Sequence, residues 1–355
     1  MKRTAPSKGL FGLLLLGVVG LAILTGGCKR ENAPAPDLAN KPEILERSKD
    51  MGGGLMLRWR VMAASATVEP QWTEMLRQTG FWLGDLDPKG QGELGRLNRS
   101  AGLEPVVLRD DVFTLLGDIQ RLCVWVDGHF DPLAGAYRAL WGMTRDAPRV
   151  PKPDELSAVK ESTGWMSLVL DEATHRAFLP VSGMIYDLGP VMDAVLAREL
   201  GRKLDAAGFT DYMLSLGHAT IVRGRVAESM KLSLIHPRKT VLRYADMRVN
   251  GAAMILNDVE PGFVDNSFRV HPMLDPETGI PSQRLMASAV TGPDVLTAAV
   301  LAYVAFVVGP DDAGALFERF PGYAGAMMDR IQRVSLTSGA EEFIEVGEKN
   351  EKKRN

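Results

Sequence analysis

The chain has 355 residues, 46% of them hydrophobic and 24% charged, with a formal net charge of -3 and a pI near 6.0. That length and balance suffice for a sizeable core in one large domain or two smaller ones. A nucleic-acid protein normally carries a strong basic excess, which is absent. The sequence also shows no repeat with a period of roughly 20–50 residues and no metal-type Cys/His cluster.

At the N-terminus Lys2, Arg3 and Lys8 precede an apolar run from Gly9 to Leu24, then Thr25-Gly26-Gly27-Cys28. A positive start, an apolar stretch and small residues before one cysteine have the form of a bacterial lipoprotein signal. Residues 1–27 would be removed and Cys28 would carry lipid. Gly9–Gly27 also approaches the roughly 20 residues of an uncleaved anchor. The lipoprotein form predicts an exported protein held to a membrane, at the periplasmic face of the inner or outer membrane or at the cell surface. Apart from Cys28 the sole cysteine is Cys123, so no intramolecular disulfide is expected and Cys123 is assigned to the core. Residues 28–50 are polar and rich in Pro and Ala, as a flexible tether is. Residues 346–355 form a solvated charge run.

Between these ends, helical and strand patterns are mixed. Behind Asp110 the apolar residues Val112, Leu115, Leu116, Ile119, Leu122, Cys123 and Val126 recur at three and four, with Gly128 as stop. A second helix is predicted from Pro190 to Gly208. A third takes Thr291 as N-cap, Pro293 in its first turn and Gly309 at its end. Alternating or β-branched runs at 165–170, 176–186, 211–216, 219–223, 230–235, 240–249 and 285–291 predict strands. Strands that cluster instead of alternating with helices give the fold class α+β. No linker divides residues 51–345, which are read as one domain, open to a bilobed form.

The segment His271-Pro272-Met273-Leu274-Asp275-Pro276-Glu277-Thr278-Gly279-Ile280-Pro281 fits neither pattern. Pro276 fixes its own φ and drives Asp275 out of the helical region, while Gly279 permits a conformation closed to other residues. The result is a shaped loop carrying an imidazole, a carboxylate and a hydroxyl, and such loops commonly carry function. Asp275 and Thr278 have an equally ordinary use, building the turn by bonding to its backbone.

Six segments together resemble the ApbE-type FAD:protein FMN transferases, over roughly residues 52–345. Glu93-Leu94-Gly95-Arg96-Leu97-Asn98 resembles Ser-x-x-Ser-x-x-Asn with both serines replaced. Asp127-Gly128-His129-Phe130-Asp131-Pro132-Leu133-Ala134-Gly135 resembles Gly-Gly-x-Phe-Asp-Pro-Thr-Val-Gly, and Leu140-Trp141-Gly142 follows it. Asp187-Leu188-Gly189 begins like Asp-Leu-Gly-Gly-Ile-Ala-Lys-Gly, and Leu216-Gly217-His218 stands at a Gly-Gly pair. The 271–281 loop supplies Asp-Pro-x-Thr-Gly, and Asp294-Val295-Leu296-Thr297 completes the set.

The resemblance implies an ApbE-like domain that takes FAD as substrate with Mg²⁺ on its pyrophosphate. It implies transfer of FMN to a Thr or Ser of a flavin-acceptor protein, itself exported or in the membrane. The catalytic residues implied are His271, Asp275 and Thr278. Cofactor contacts are implied at His129, Phe130, Asp131, Asp187, Gly189 and Gly279, and metal contacts at Asp294, Thr297 and the backbone carbonyl of Met192.

Departures from the pattern keep a second reading open. Pro190 removes an N–H donor, and Asp193 stands where the family has lysine. At ~6 Å and an effective dielectric of ~20, each charge is worth about 3 kcal/mol against an anion. Ala298 replaces a metal-binding threonine, and Pro272 occupies the place of the most characteristic histidine. Ile255-Leu256-Asn257 replaces Thr-Ser-Gly. Asp187, Asp193 and Asp294 also suit plain roles as first-turn carboxylates favoured by the helix dipole. The alternative is therefore a non-catalytic protein of the same fold that binds flavin or a partner protein.

Overall fold

The computed structural model describes residues 42–143, 148–259, 262–265 and 268–347, all within the compact unit Ala39–Asn355. The expected signal segment, Cys28 and the tail from 348 onward lie outside the described residues, while Val346, read as the start of that tail, ends a strand. Eight strands form one sheet: Glu43–Asp50, Met56–Ala63, Tyr212–Leu216, Ala219–Arg223, Ala252–Asn257, Leu285–Gly292, Ala324–Asp329 and Val334–Leu336. They lie side by side in that same order, and every neighbouring pair is antiparallel. Each link is thus a hairpin or an excursion that returns beside its starting strand, and the site is built from two excursions and two hairpin turns.

The register places Leu214 between Trp59 and Ile221, with all three buried. In the helix Val295–Val308 every residue but Thr297 is buried. A helix that is apolar all round belongs in a core, and this one packs on the strands Ala252–Asn257 and Leu285–Gly292 and on the helix Met192–Ala206. Among the described residues no helix is long and apolar enough to cross a membrane. Side chains alternate across a strand, so Met254 and Leu256 meet the helices while Ala253 and Ile255 face away from them. That second face is covered by the hairpin Lys231–His236/Lys239–Arg248, extended by Ile344–Val346. Ala253, Ala287, Ala289 and Ala326 leave room there for Tyr244 and Met247. Helices, sheet and small sheet make the expected α+β architecture, here arranged in three layers.

Several local expectations change. The stretch read as tether supplies, from Glu43 to Asp50, the edge strand of the main sheet. Its polar composition suits an edge exposed on most of its length. Strand is confined to Val169–Asp171 and Arg176–Phe178 within the runs at 165–170 and 176–186, and Trp165–Ser167 is a 3-10 turn. Thr291 is not a cap. It sits in the strand Leu285–Gly292, where its hydroxyl accepts from Asn250 N at 2.7 Å and donates to Ala252 O at 2.9 Å. Cys123 is buried and unpaired, in the core.

Candidate active site

Three of the matched turns open onto one cleft of about 300 Å³. Asp187, Gly189, Pro190 and Asp193 come from the first turn and the helix it starts, Gly217 and His218 from the hairpin Tyr212–Leu216/Ala219–Arg223, and Pro272 and Met273 from the long loop. Leu55, Met143 and Leu256 add apolar wall.

The Asp187 turn is held from several sides. Asn98 Nδ2 donates to Tyr186 O at 2.9 Å, and Tyr186 N donates to Asn98 Oδ1 at 2.7 Å. The asparagine of the first matched motif thus clamps the strand-like approach to the turn. Asp187 N donates to Pro132 O at 2.9 Å, which ties in the Asp131 loop. Its Oδ1 accepts from Gly189 N at 2.8 Å and its Oδ2 from Arg138 Nε at 2.9 Å. Arg138 Nη2 also donates to Asp187 O. Arg138 is only 1% exposed, so its guanidinium is a buried charge that requires a partner, and Asp187 is that partner. The Gly189 backbone lies directly over it: a Cβ there would stand 3.0 Å from the guanidinium carbon.

The charge reversal at Asp193 is answered inside the cleft. Asp193 Oδ2 accepts from His218 N at 2.9 Å and lies 2.9 Å from His218 Nδ1. The residue that replaces a lysine and the one that replaces a glycine are therefore bonded to each other. A carboxylate can only accept, or attract a charged ring, so the contact makes Nδ1 the protonated nitrogen.

The other sequence-derived residues fall elsewhere. Asp131 is 3% exposed and gives its two oxygens to Leu133 N at 2.7 Å and Gly164 N at 2.9 Å. Burial raises its carboxyl pKa. Phe130 is in the core, edge-on to Tyr303, and His129 is exposed. Asp275 accepts from Glu277 N at 2.9 Å through Oδ1, and Gly279 N at 2.7 Å through its carbonyl. The Thr278 hydroxyl accepts from Ile280 N at 3.3 Å. These contacts shape the turn, and none of the four residues Asp131, Asp275, Thr278 and Gly279 lines the cleft.

His271 lies behind the cleft. It lines a neighbouring cavity of about 200 Å³ that shares Met143 with the first. Its Nε2 is 2.7 Å from Ser282 O, which can only accept, so Nε2 carries the proton. Nδ1 is buried without a partner. Burial lowers the imidazole pKa to about 4, so the ring is neutral near pH 7.

Asp294, not Thr291, caps the helix Val295–Val308. Its Oδ1 accepts from Thr297 N at 2.8 Å and Thr297 Oγ1 at 2.9 Å, in the manner of an N-cap carboxylate. Thr297 faces a separate depression with Trp125 and Tyr323. Met192 begins its helix and packs partly against the main core. Among the described residues no group of three or more His, Cys, Asp or Glu stands together as a metal cage.

Sequence reasoning thus brought Asp187 and Gly189 to the cleft and missed Arg138. One signal for Arg138 existed: a charged residue inside the apolar run Gly135–Trp141, a position where burial demands an ion partner.

The ApbE family profile matches residues 85–328. A protein of Treponema pallidum named FAD:protein FMN transferase is 26% identical over 71% of this chain and 75% of its own. One of that name from Escherichia coli is 24% identical over 86% of this chain and 89% of its own. One from Chlamydia muridarum is 39% identical, over 23% of this chain and 26% of its own. Among solved structures, the ApbE protein of Thermotoga maritima superposes with a TM-score of 0.76 at 20% identity, over 85% of this chain and 99% of that one. With its family profile matched over more than half its length, this chain belongs to the ApbE family.

Proposed function

We propose that the chain binds FAD in the cleft and transfers FMN to a threonine or serine of a partner protein. The observation that carries this reading is the convergence of three matched turns on a single cleft with apolar walls and a helix start. The wall residues Leu55, Leu256 and Met273 offer a face to a flat ring. The turn before Met192–Ala206 lies at the positive end of the helix dipole, which suits phosphate.

In the transfer, the acceptor Oγ forms a bond to the FMN phosphorus, the bond from that phosphorus to the bridging oxygen breaks, and AMP leaves. The hydroxyl proton needs a base within hydrogen-bond reach. The imidazole that lines the cleft is His218, oriented by Asp193, and we assign it that task. His271 keeps its place as a neutral imidazole in the adjoining cavity.

Magnesium, when bound, would offset charge on the diphosphate. Asp294, Thr297 and the Met192 carbonyl would hold it by the resemblance, although Asp294 and Thr297 do not line the cleft and Asp294 Oδ1 is spent on Thr297. One carboxylate suffices for Mg²⁺ when substrate phosphates and water complete its shell. The Thr25-Gly26-Gly27-Cys28 sequence supports lipidation at Cys28 and a place at the outer side of a bacterial inner membrane or beyond it. The acceptor is then an exported or membrane protein.

The test is to incubate the full chain with FAD, Mg²⁺ and a flavin-acceptor protein, and to read covalent flavin fluorescence on the acceptor in a denaturing gel. Labelling is expected, and is expected to stop when EDTA is added. An acceptor that stays dark beside a folded, FAD-bound chain would favour the binding-only alternative.

A further inference from the structure

We infer that Arg138 is the anion contact of this cleft, receiving a phosphate oxygen of the bound dinucleotide through Nη1. The inference rests on the reading of the cleft as an FAD site and adds a residue to it. Among the described lining residues Arg138 is the permanent cation.

Nε and one N–H of Nη2 are committed, holding Asp187 through side chain and carbonyl. Nη1 is buried and has no partner. A buried donor left unpaired costs about 1–3 kcal/mol, and native proteins rarely keep one without a use. The guanidinium is also fixed in place before any ligand arrives. Asp187 grips one edge, and the Gly189 backbone covers it so closely that a Cβ would come within 3.3 Å of Nη1.

A guanidinium anchored on a carboxylate, with one fork prong still to be satisfied, matches a phosphate oxygen in charge and geometry. The same turn starts the 15-residue helix Met192–Ala206, whose positive dipole end adds to the field of the guanidinium. Arg138 also compensates for the acidic residue at position 193. Aspartate there brings no positive charge of its own, and the cation comes instead from the helix Gly135–Trp141. Asp193 is meanwhile occupied by His218.

The experiment is calorimetric titration of the full chain, and of Arg138→Gln and Arg138→Lys, with inorganic pyrophosphate and separately with FAD. Thermal melting without ligand reports whether each variant is folded. Arg138→Gln is expected to weaken both ligands about 10-fold or more, the loss typical of a charge-assisted hydrogen bond. Arg138→Lys keeps the charge but not the fork and is expected to weaken them by a smaller factor, about 3-fold or more.

If Arg138→Gln does not fold, Arg138→Lys decides alone. A folded variant that binds pyrophosphate as tightly as the unaltered chain overturns the proposal, as does an unaltered chain that binds neither ligand. If pyrophosphate binds through Arg138 while FAD does not bind, the transferase reading falls and the anion contact stands.

Discussion

Gly279→Ala is expected to destabilise the chain by about 2–5 kcal/mol and to weaken binding in the cleft. Two costs add. Gly279 has φ +70°, a left-handed conformation that costs an L residue roughly 1–2 kcal/mol. A Cβ built there would lie 2.4 Å from the Tyr137 ring, and Tyr137 is itself 1% exposed. Relieving that overlap in a packed core costs typically ~1–3 kcal/mol. The carbonyl of Gly279 accepts from Trp141 Nε1 at 2.7 Å, so movement of the loop strains the Trp141 contact as well. Pro272 and Met273 lie on the same loop and line the cleft, which couples the damage to ligand binding. Thermal melting checks the first effect and FAD titration the second. Thr278→Ala is the companion variant: Thr278 is exposed and is expected to change stability by less than about 0.5 kcal/mol. A neutral Gly279→Ala would show that this packing does not hold the loop.

The second expected result is a loss of stability on acidification that traces to His271. Burial lowers its pKa from 6.5 to about 4, reinforced by Arg269 and Arg330 and opposed by its bond to Ser282. Between those values the unfolded chain binds the proton and the folded one does not, so stability rises with pH across that window. The contribution is fully present above pH ~6.5 and is lost as pH falls towards ~4, in total about 3 kcal/mol. Urea unfolding of the unaltered chain and of His271→Gln at several pH values isolates it. The gap between the two curves should change by about that amount across the window. Parallel curves would show that the imidazole titrates freely and is not buried as described.

The sequence was most legible where local chemistry decides structure. The helix Asp110–Trp125 and the turn at Asp275–Gly279 follow from spacing, Pro276 and Gly279 alone. The helix Ser65–Asp85 is harder to see, because Pro70, Gly80 and Gly84 lie within it and its stability comes from packing Trp72, Met75 and Trp82. The edge strand Glu43–Asp50 reads as a polar tether because an edge strand buries little.

At the site, the motifs identified which turns matter but not which way their side chains face. Asp131 and Asp275 are conspicuous in sequence, yet they spend their oxygens on backbone N–H groups. The contacts that set the charge of the cleft, Arg138 with Asp187 and Asp193 with His218, join residues 49 and 25 positions apart. No periodicity links such pairs; only the fold does.

The departures at Pro190, Asp193 and Pro272 also look different in three dimensions. All three residues line the cleft, and the substitution at Asp193 comes with its own partner. The cleft combines apolar walls, a helix start, an arginine and an imidazole oriented by Asp193.

Whether this cleft is a flavin dinucleotide site is decided by calorimetric titration of the full chain with FAD in the presence and absence of Mg²⁺. Saturable binding at one site per chain, competed by inorganic pyrophosphate, is the expected result. A folded chain that binds no FAD under either condition would refute the assignment.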